Sequence, residues 1–104
     1  MRTNWVYILT NKPRGVFYVG STSNPARRLE EHLAGEGSKH VKTYGLDRVV
    51  WFEAFADKGD ALVFEHRIKK WARATKIDAV ERGNPEWGDL RGAWLREAVG
   101  TYDL

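Results

Sequence analysis

The sequence predicts an α/β protein of the α+β type, in which a three-stranded, mostly antiparallel sheet is flanked by helices in the order β-β-α-β-α. Three observations support this: two aromatic and β-branched runs separated by turn residues, a later apolar run, and two segments of helical periodicity. The length of 104 residues is typical of one domain. We expect a single domain over 1–104, with its core at about 4–80 and a helical extension at about 81–104.

The first two strands are predicted to form a hairpin. The runs Trp5–Leu9 and Val16–Val19 flank Asn11–Gly15, whose asparagine, proline and glycine favour a turn. A turn centred between the second and third residues of that segment sets Tyr7 directly opposite Tyr18, on one face of the sheet. The pairing depends on the turn, because a one-residue change of register would place the two tyrosine side chains on opposite faces of the sheet.

The first helix is predicted from its start and stop signals. Ser23 or Asn24 can serve as N-cap, and Pro25 suits the first turn. We expect the helix to run to about Ala34, because Gly35 and a second glycine follow it.

Arg28 and His32 lie one turn apart on the flank of this helix, at positions i and i+4. The helical wheel assigns Ala26, Leu29 and Leu33 to its core-facing arc. The pair can therefore point at one place, although such a pair is in general a solvated flank. Tyrosines on a sheet are likewise, in general, core aromatics with a polar tip.

The middle of the chain is predicted to hold a basic loop, the third strand and the second main helix. Residues 35–45 begin and end on glycine, which favours a loop. The run 48–56 is nearly all apolar, as in a strand covered on both faces. The helix is expected over 61–74 with Asp57 or Asp60 as its cap.

Glu65 falls at the edge of the apolar arc of the second main helix. A carboxylate at the rim of a core must be paired, hydrogen-bonded or bound to a metal. A salt bridge to an arginine is the ordinary explanation, and a cation site is the functional one. The arc consists of Ala61, Phe64, Ile68, Trp71 and Ala72. Beyond it we expect a short helix over 76–82, a turn over 83–85 and a last helix over 89–99.

Composition excludes several classes of protein. The 42% of hydrophobic and 30% of charged residues are ordinary for a soluble globular protein. No cysteine is present, so a metal would be held by oxygen or imidazole. The longest apolar run, Trp5–Leu9, is far below the roughly 20 residues of a membrane helix, and the N-terminus lacks a signal-peptide profile. We therefore expect a cytoplasmic protein with no membrane partner.

Charge is unevenly distributed within the net +3. Segment 12–48 holds seven basic and four acidic side chains, and segment 66–82 holds six and two. Between them, 49–65 holds one basic and four acidic side chains. The pattern suits phosphate contacts around a cation-binding carboxylate, although solvated basic faces of this size are common.

No other catalytic motif competes. The sequence has no Gly-x-Ser-x-Gly context, no phosphate-binding loop and no zinc-ligand spacing among its three histidines. One glutamate at the rim of the core with oxygen ligands favours a single Mg²⁺ or Mn²⁺.

Four motifs occur in a specific order: Trp5-Val6-Tyr7, Tyr18-Val19-Gly20-Ser21-Thr22, Arg27-Arg28-Leu29-Glu30-Glu31-His32 and Glu65-x-x-Ile68-Lys69-x-Trp71. This arrangement resembles the GIY-YIG nuclease superfamily, especially its small, single-domain bacterial members, over roughly residues 4–90. In the motifs that name the superfamily, Trp-Val stands here for Gly-Ile and Val for Ile. Both look like packing positions.

The resemblance implies an endonuclease that hydrolyses phosphodiester bonds in DNA with one Mg²⁺ or Mn²⁺, with a possible link to repair or recombination. Tyr7 would be the general base or orient the attacking water, with Tyr18 beside it. Arg28 rather than Arg27 would clamp the scissile phosphate, His32 would hydrogen-bond the tyrosine or phosphate, and Glu65 would bind the cation. Because a free tyrosine has a pKa of about 10, the base needs nearby positive charge.

Further contacts to nucleic acid are expected from a glycine whose backbone can be approached closely, from four basic side chains and from one amide side chain. They are Gly20, Arg27, Lys39, Lys42, Lys69 and Asn84. The alternative function is a nucleic-acid-binding protein of this fold that cleaves little or nothing unless a partner is present.

Overall fold

The computed structural model describes residues 3–102, with side chains described up to residue 100. The elements in chain order are β1 (Asn4–Thr10), β2 (Phe17–Thr22), α1 (Pro25–Leu33), α2 (Lys39–Tyr44), β3 (Arg48–Phe55), α3 (Lys58–Lys70), α4 (Arg73–Gly83) and α5 (Arg91–Tyr102). The predicted three-stranded sheet with flanking helices is confirmed. Within these residues, no helix is both long and apolar enough to span a bilayer.

β1 is the central strand of the sheet, whose order is β2-β1-β3 with both pairings antiparallel. Its residues from Trp5 to Thr10 are all buried. β3 lies at an edge, where Val50 is buried but Glu53 and Ala54 are exposed. The expectation that β3 is covered on both faces is therefore wrong for its second half, because Glu53 and Ala54 point to opposite faces and both are exposed.

β1 and β2 pair two residues away from the predicted register. Tyr7 lies opposite Gly20, and Tyr18 lies opposite Leu9, so the predicted direct pairing of the tyrosines is wrong. The turn is centred one residue later than expected and is closed by the bond from Gly15 N to the carbonyl of residue 12. A shift of two residues keeps every side chain on its predicted face. The two tyrosine rings remain neighbours, with centroids 6.1 Å apart.

The sheet separates two hydrophobic clusters. On one face, side chains of β1 pack with α1, α2 and α5 in a cluster that includes Tyr7, Leu29 and Trp94. On the other face, the alternate residues of β1 pack with α3 and α4 around Ile68 and Val80. Period-two alternation along β1 explains the division.

Helix α1 turns a different side to the sheet than its wheel predicts. Leu29 is buried as expected, but Leu33 is 61% exposed and Ala26 is also exposed. His32 is buried instead, and Arg28 is half-buried. The assignment of Ala26 and Leu33 to the core is wrong. Hydrogen bonds to Tyr7 and Tyr18 of the sheet offset the cost of burying Arg28 and His32, so this side of the helix packs on the sheet instead.

Several helix boundaries also differ from the predictions, and the last helix, α5, spans Arg91–Tyr102 rather than 89–99. The expected loop at 35–45 contains α2, which Ser38 caps at its N-terminus and Gly45 ends in a left-handed conformation, φ 61°. Helix α3 is capped by Asp57 as predicted, but it ends at Lys70 because Trp71 is extended. Helix α4 then begins three residues earlier than the expected 76.

Candidate active site

Four of the predicted site residues form one hydrogen-bonded cluster on the α1 face of the sheet. The hydroxyl of Tyr7 and Nε2 of His32 are 2.7 Å apart. Arg28 donates from Nε to the Tyr7 oxygen at 3.2 Å and from Nη2 to the Tyr18 oxygen at 3.1 Å. Two strands and one helix thus bring a phenol pair, a guanidinium and an imidazole together.

Gly20 makes this arrangement possible. It lies opposite Tyr7 in the sheet, and the Tyr7 ring extends across it toward α1. A Cβ atom at position 20 would lie 2.7 Å from the Tyr7 hydroxyl and 2.8 Å from the Tyr18 ring, closer than such atoms approach. A side chain at this position would therefore displace the tyrosines.

Gly37 closes the other side of the cluster and was not singled out from the sequence. Its carbonyl accepts a bond from Arg28 Nη2 at 3.3 Å. A Cβ atom at Gly37 would lie 2.9 Å from Nδ1 of His32. The only sequence signal for this contact is a glycine close behind α1, which serves equally well to end a helix.

The protonation states follow from burial. Burial, reinforced by the neighbouring Tyr18 hydroxyl, raises the pKa of Tyr7 above its ordinary value. Burial and the positive charge of Arg28 lower the pKa of His32 to about 4. At neutral pH the hydrogen bond between the Tyr7 hydroxyl and Nε2 of His32 therefore joins a neutral phenol to a neutral imidazole. His32 therefore carries no positive charge that could stabilise a phenolate in this state.

The cluster has an inner and an outer part. Tyr7 is 0% exposed and His32 is 6% exposed, whereas Arg28 and Tyr18 are half-buried. A phosphate that approaches from solvent would therefore meet Arg28 and Tyr18 before Tyr7.

Glu65 projects from α3, on the opposite side of the sheet, and reaches edge strand β2. Its Oε1 accepts a 2.5 Å bond from Ser21 Oγ, and its Oε2 lies 2.5 Å from Lys69 Nζ. Its side chain is 12% exposed. Burial alone would raise the pKa of Glu65, but the bonds from Lys69 and Ser21 outweigh it and lower the pKa below its usual value. The predicted position at the rim of the core is confirmed, and the pairing partner is a lysine.

Ser21 directly follows Gly20 in β2, and because strand side chains alternate it holds Glu65 on the face of β2 opposite to the cluster. Within the described part of the chain, no hydrogen bond joins Glu65 to the other four site residues. The structure thus brings four of the five candidates into contact and holds the fifth at the same edge strand. The contact of Ser21 with Glu65 is not among the sequence predictions, although Ser21 lies within a quoted motif.

The donor set fits a weakly chelated divalent cation. Glu65 presents two carboxylate oxygens, and the Lys69 ammonium already lies on one of them as a positive group. No group of three or more histidine, cysteine, aspartate or glutamate side chains occurs among residues 3–100 that could enclose a metal. Mg²⁺ and Mn²⁺ suit such a site, because they retain several waters and also bind substrate phosphate.

The remaining predicted nucleic-acid contacts are dispersed. Arg27 is exposed and lies 4.0 Å from Glu31, outside the cluster. Lys39 and Lys42 are exposed on α2. Asn84 is buried and its amide bonds three backbone groups, the carbonyls of Val50 and Gly88 and the amide of Gly88.

One apolar cavity lies away from this cluster. It has a volume of about 420 Å³ at the outer edge of β3, between the end of α4 and α5. Trp5, Phe52 and Leu90 line it, with Glu53 and Glu97 at its acidic part. None of the lining residues of this cavity belongs to the Tyr7–Tyr18–Arg28–His32 cluster.

Comparison with known proteins agrees with this geometry. Residues 3–78 match the family described as the GIY-YIG catalytic domain. A UPF0213 protein of Aeromonas salmonicida is 33% identical over 91 residues, which cover 88% of this chain and 66% of that protein. A UPF0213 protein of Staphylococcus haemolyticus is 35% identical over 81 residues, which cover 78% of this chain and 98% of that protein.

A solved structure is similar as well. The solution NMR structure of a UPF0213 protein from Bacillus halodurans aligns with a TM-score of 0.52 and 30% identity, covering 82% of this chain and 89% of that one. The match spans both strands of the hairpin, α1, β3 and α3. The chain therefore belongs to the GIY-YIG catalytic domain family.

Proposed function

We propose that this protein is a divalent-metal-dependent endonuclease that hydrolyses phosphodiester bonds in DNA. The observation that carries the proposal is the hydrogen bond between Tyr7 and His32, which lies next to Arg28. Strand β2 lies beside this bond, and its Ser21 bonds Glu65 of α3. A phenol that can pass its proton to a neutral imidazole has the arrangement of a general base. The family supports nuclease-type chemistry, whereas the names of the relatives state no activity.

In the proposed reaction, water attacks phosphorus while its proton moves to the Tyr7 oxygen. The phenolic proton of Tyr7 passes at the same time to Nε2 of His32, 2.7 Å away. The bond from Arg28 Nε holds the phenolic oxygen in place during the transfer, and the negative charge of the bound phosphate would offset the positive charge that develops on His32. The 3′-oxygen leaves and takes a proton from solvent, and His32 then releases its proton to solvent.

Arg28 is placed to hold the scissile phosphate. Its Nε and Nη2 atoms bond the two tyrosines and Gly37, while no bond to another described residue uses Nη1. Charge-assisted bonds from arginine to phosphate are strong and directional. The proposed clamp therefore needs no rearrangement of the tyrosine contacts.

Glu65 is the proposed cation ligand, with Ser21 fixing its carboxylate. A cation bound there would stabilise negative charge on the phosphoryl oxygens and the leaving oxygen. Exposed basic residues on α1 and α2 would contact the DNA backbone without reading sequence. We therefore propose branched, nicked or damaged DNA, the kind found in repair and recombination, as the substrate class.

The test is an assay of supercoiled and branched DNA with Mg²⁺ or Mn²⁺. Nicking by the wild type should fall by at least about 10²-fold in Arg28→Ala and in Glu65→Ala. Both variants should keep wild-type far-UV circular dichroism, and EDTA should abolish nicking. Equal residual cleavage in the two variants and the wild type would identify a contaminating nuclease and refute the proposal.

One observation favours the alternative, a DNA-binding protein that cleaves only with a partner. Tyr7 is fully buried and Lys69 lies on the Glu65 carboxylate, so base and cation ligand are both covered. Salt-sensitive DNA binding without nicking at any metal concentration would support this second function.

A further inference from the structure

Lys69 and Glu65 form an unusually close ion pair on α3. The Nζ atom of Lys69 lies 2.5 Å from Oε2 of Glu65, one helical turn away. The Lys69 side chain is 49% exposed, whereas that of Glu65 is 12% exposed. The ammonium group therefore lies on the solvent side of a largely buried carboxylate.

Other pairs at this spacing differ in the burial of the acid. Arg27 and Glu31 lie 4.0 Å apart with the acid 36% exposed. Arg82 and Asp78 lie 3.1 Å apart with the acid 65% exposed. Such exposed pairs contribute little and are screened by salt. Of these three pairs, Lys69–Glu65 is the one in which the basic group covers a carboxylate of the candidate site.

Each oxygen of Glu65 accepts one hydrogen bond, so a cation that approaches the carboxylate meets either the Ser21 hydroxyl or the like-charged Lys69 ammonium. Ser21 lies in the backbone-paired strand β2, and its hydroxyl is neutral. Lys69 is half-exposed on a flexible four-carbon stem and carries the same sign of charge as a metal. Lys69 is therefore the partner that a cation would replace.

We propose that Lys69 occupies the cation position on Glu65 in the metal-free protein and sets the divalent-cation affinity by competing for it. This inference rests on the proposed function only in that Glu65 is the cation ligand. Lys69 acts here as a positioning residue that holds the carboxylate ready and yields it to the metal. Removing the ammonium should therefore tighten cation binding.

The test is Mn²⁺ binding to the full-length chain, followed by electron paramagnetic resonance of the unbound ion and without DNA. Lys69→Met should bind Mn²⁺ about tenfold more tightly than the wild type, because a unit charge a few ångströms from a divalent ion is removed. Lys70→Met is the matched control, being the next residue and equally basic. It should change affinity by less than about twofold, since screening attenuates the more distant charge.

Two further variants separate the possible outcomes. Lys69→Arg keeps a cation and should stay close to wild-type affinity, while Glu65→Gln should lose the site. Loss of the site in Glu65→Gln with wild-type affinity in Lys69→Met would overturn this inference and leave the proposed metal ligand intact. Equal tightening in Lys69→Met and Lys70→Met would also overturn it, as an effect of net charge. Wild-type binding by Glu65→Gln would overturn the metal site itself. Thermal unfolding in EDTA verifies that each variant is folded.

Discussion

The hydroxyl of Tyr7 and Nε2 of His32 share a 2.7 Å hydrogen bond inside the protein, although the residues come from different elements. Tyr7 lies on the central strand and is fully buried, and His32 lies on α1. Burial makes the phenol a weaker acid and keeps the imidazole neutral. This hydrogen bond should therefore contribute both to folding stability and to the proposed proton transfer.

Replacing His32 with glutamine should separate the two consequences. The amide can still accept a bond from Tyr7, so the fold should persist, but it cannot take up a proton. We expect the nicking rate to fall by about 10²-fold. Single-turnover nicking together with urea unfolding measures both effects. His40→Gln, at an exposed histidine on α2, is the control, and a His32→Gln enzyme as fast as the wild type would refute the proton transfer.

Folding stability should fall as the pH falls toward 5. The unfolded chain protonates this imidazole below pH about 6.5, whereas in the folded protein the pKa of His32 is about 4. The unfolded state thus binds more protons between these values, which favours unfolding by about 1–2 kcal/mol at pH 5 relative to pH 7.5. Urea denaturation at both pH values should show this loss in the wild type. The loss of stability should be smaller by about 1–2 kcal/mol in His32→Gln, which has no imidazole at this position. Equal losses in the two proteins would contradict the lowered pKa of His32.

Gly20→Ala should disrupt the cluster. The new methyl group would lie 2.7 Å from the Tyr7 hydroxyl and close to the Tyr18 ring, so both tyrosines must move. We expect a loss of about 1–3 kcal/mol in the free energy of unfolding, together with loss of nicking. Gly83→Ala is the matched control, because a Cβ there meets nothing within 4 Å. Guanidinium unfolding of the two variants provides the measurement, and equal stability would show that Gly20 has room for a side chain.

Asn84→Ala should reduce the folding stability of the protein. It removes amide bonds to the carbonyls of Val50 and Gly88 and to the Gly88 amide, which should reduce stability by about 1–3 kcal/mol. Asn84→Asp keeps the acceptor and loses the donors, so it should also be destabilised. Fluorescence anisotropy with duplex DNA checks the predicted nucleic-acid role of Asn84. Weaker DNA binding with unchanged stability would favour contact with DNA.

Local sequence signals were sufficient for most of the architecture. Alternating aromatic and β-branched residues predict β1 and β2, and Asn24 with Pro25 predicts the start of α1, as observed. The tyrosine pairing was predicted in a register two residues away from the observed one. It still placed both rings on the correct face, because strand side chains repeat every two residues.

The orientation of α1 could not be predicted from hydrophobicity. The wheel favours a core face with Leu33, yet Leu33 is exposed and His32 is buried. Burial of a histidine is favourable only when a partner such as Tyr7 lies across the interface. A wheel carries no information about that partner, since it lies 25 residues away in the chain.

Sequence alone determined the fold class, the order of the strands and main helices, and the residues that could form a site. Tertiary structure decided which of them touch: Tyr7, Tyr18, Arg28 and His32 form one bonded cluster, while Ser21 and Lys69 hold Glu65 beside it. The physical reason is that secondary structure depends on short-range periodicity and capping. Hydrogen-bond partners and pKa values depend instead on burial and on groups brought together from distant parts of the chain.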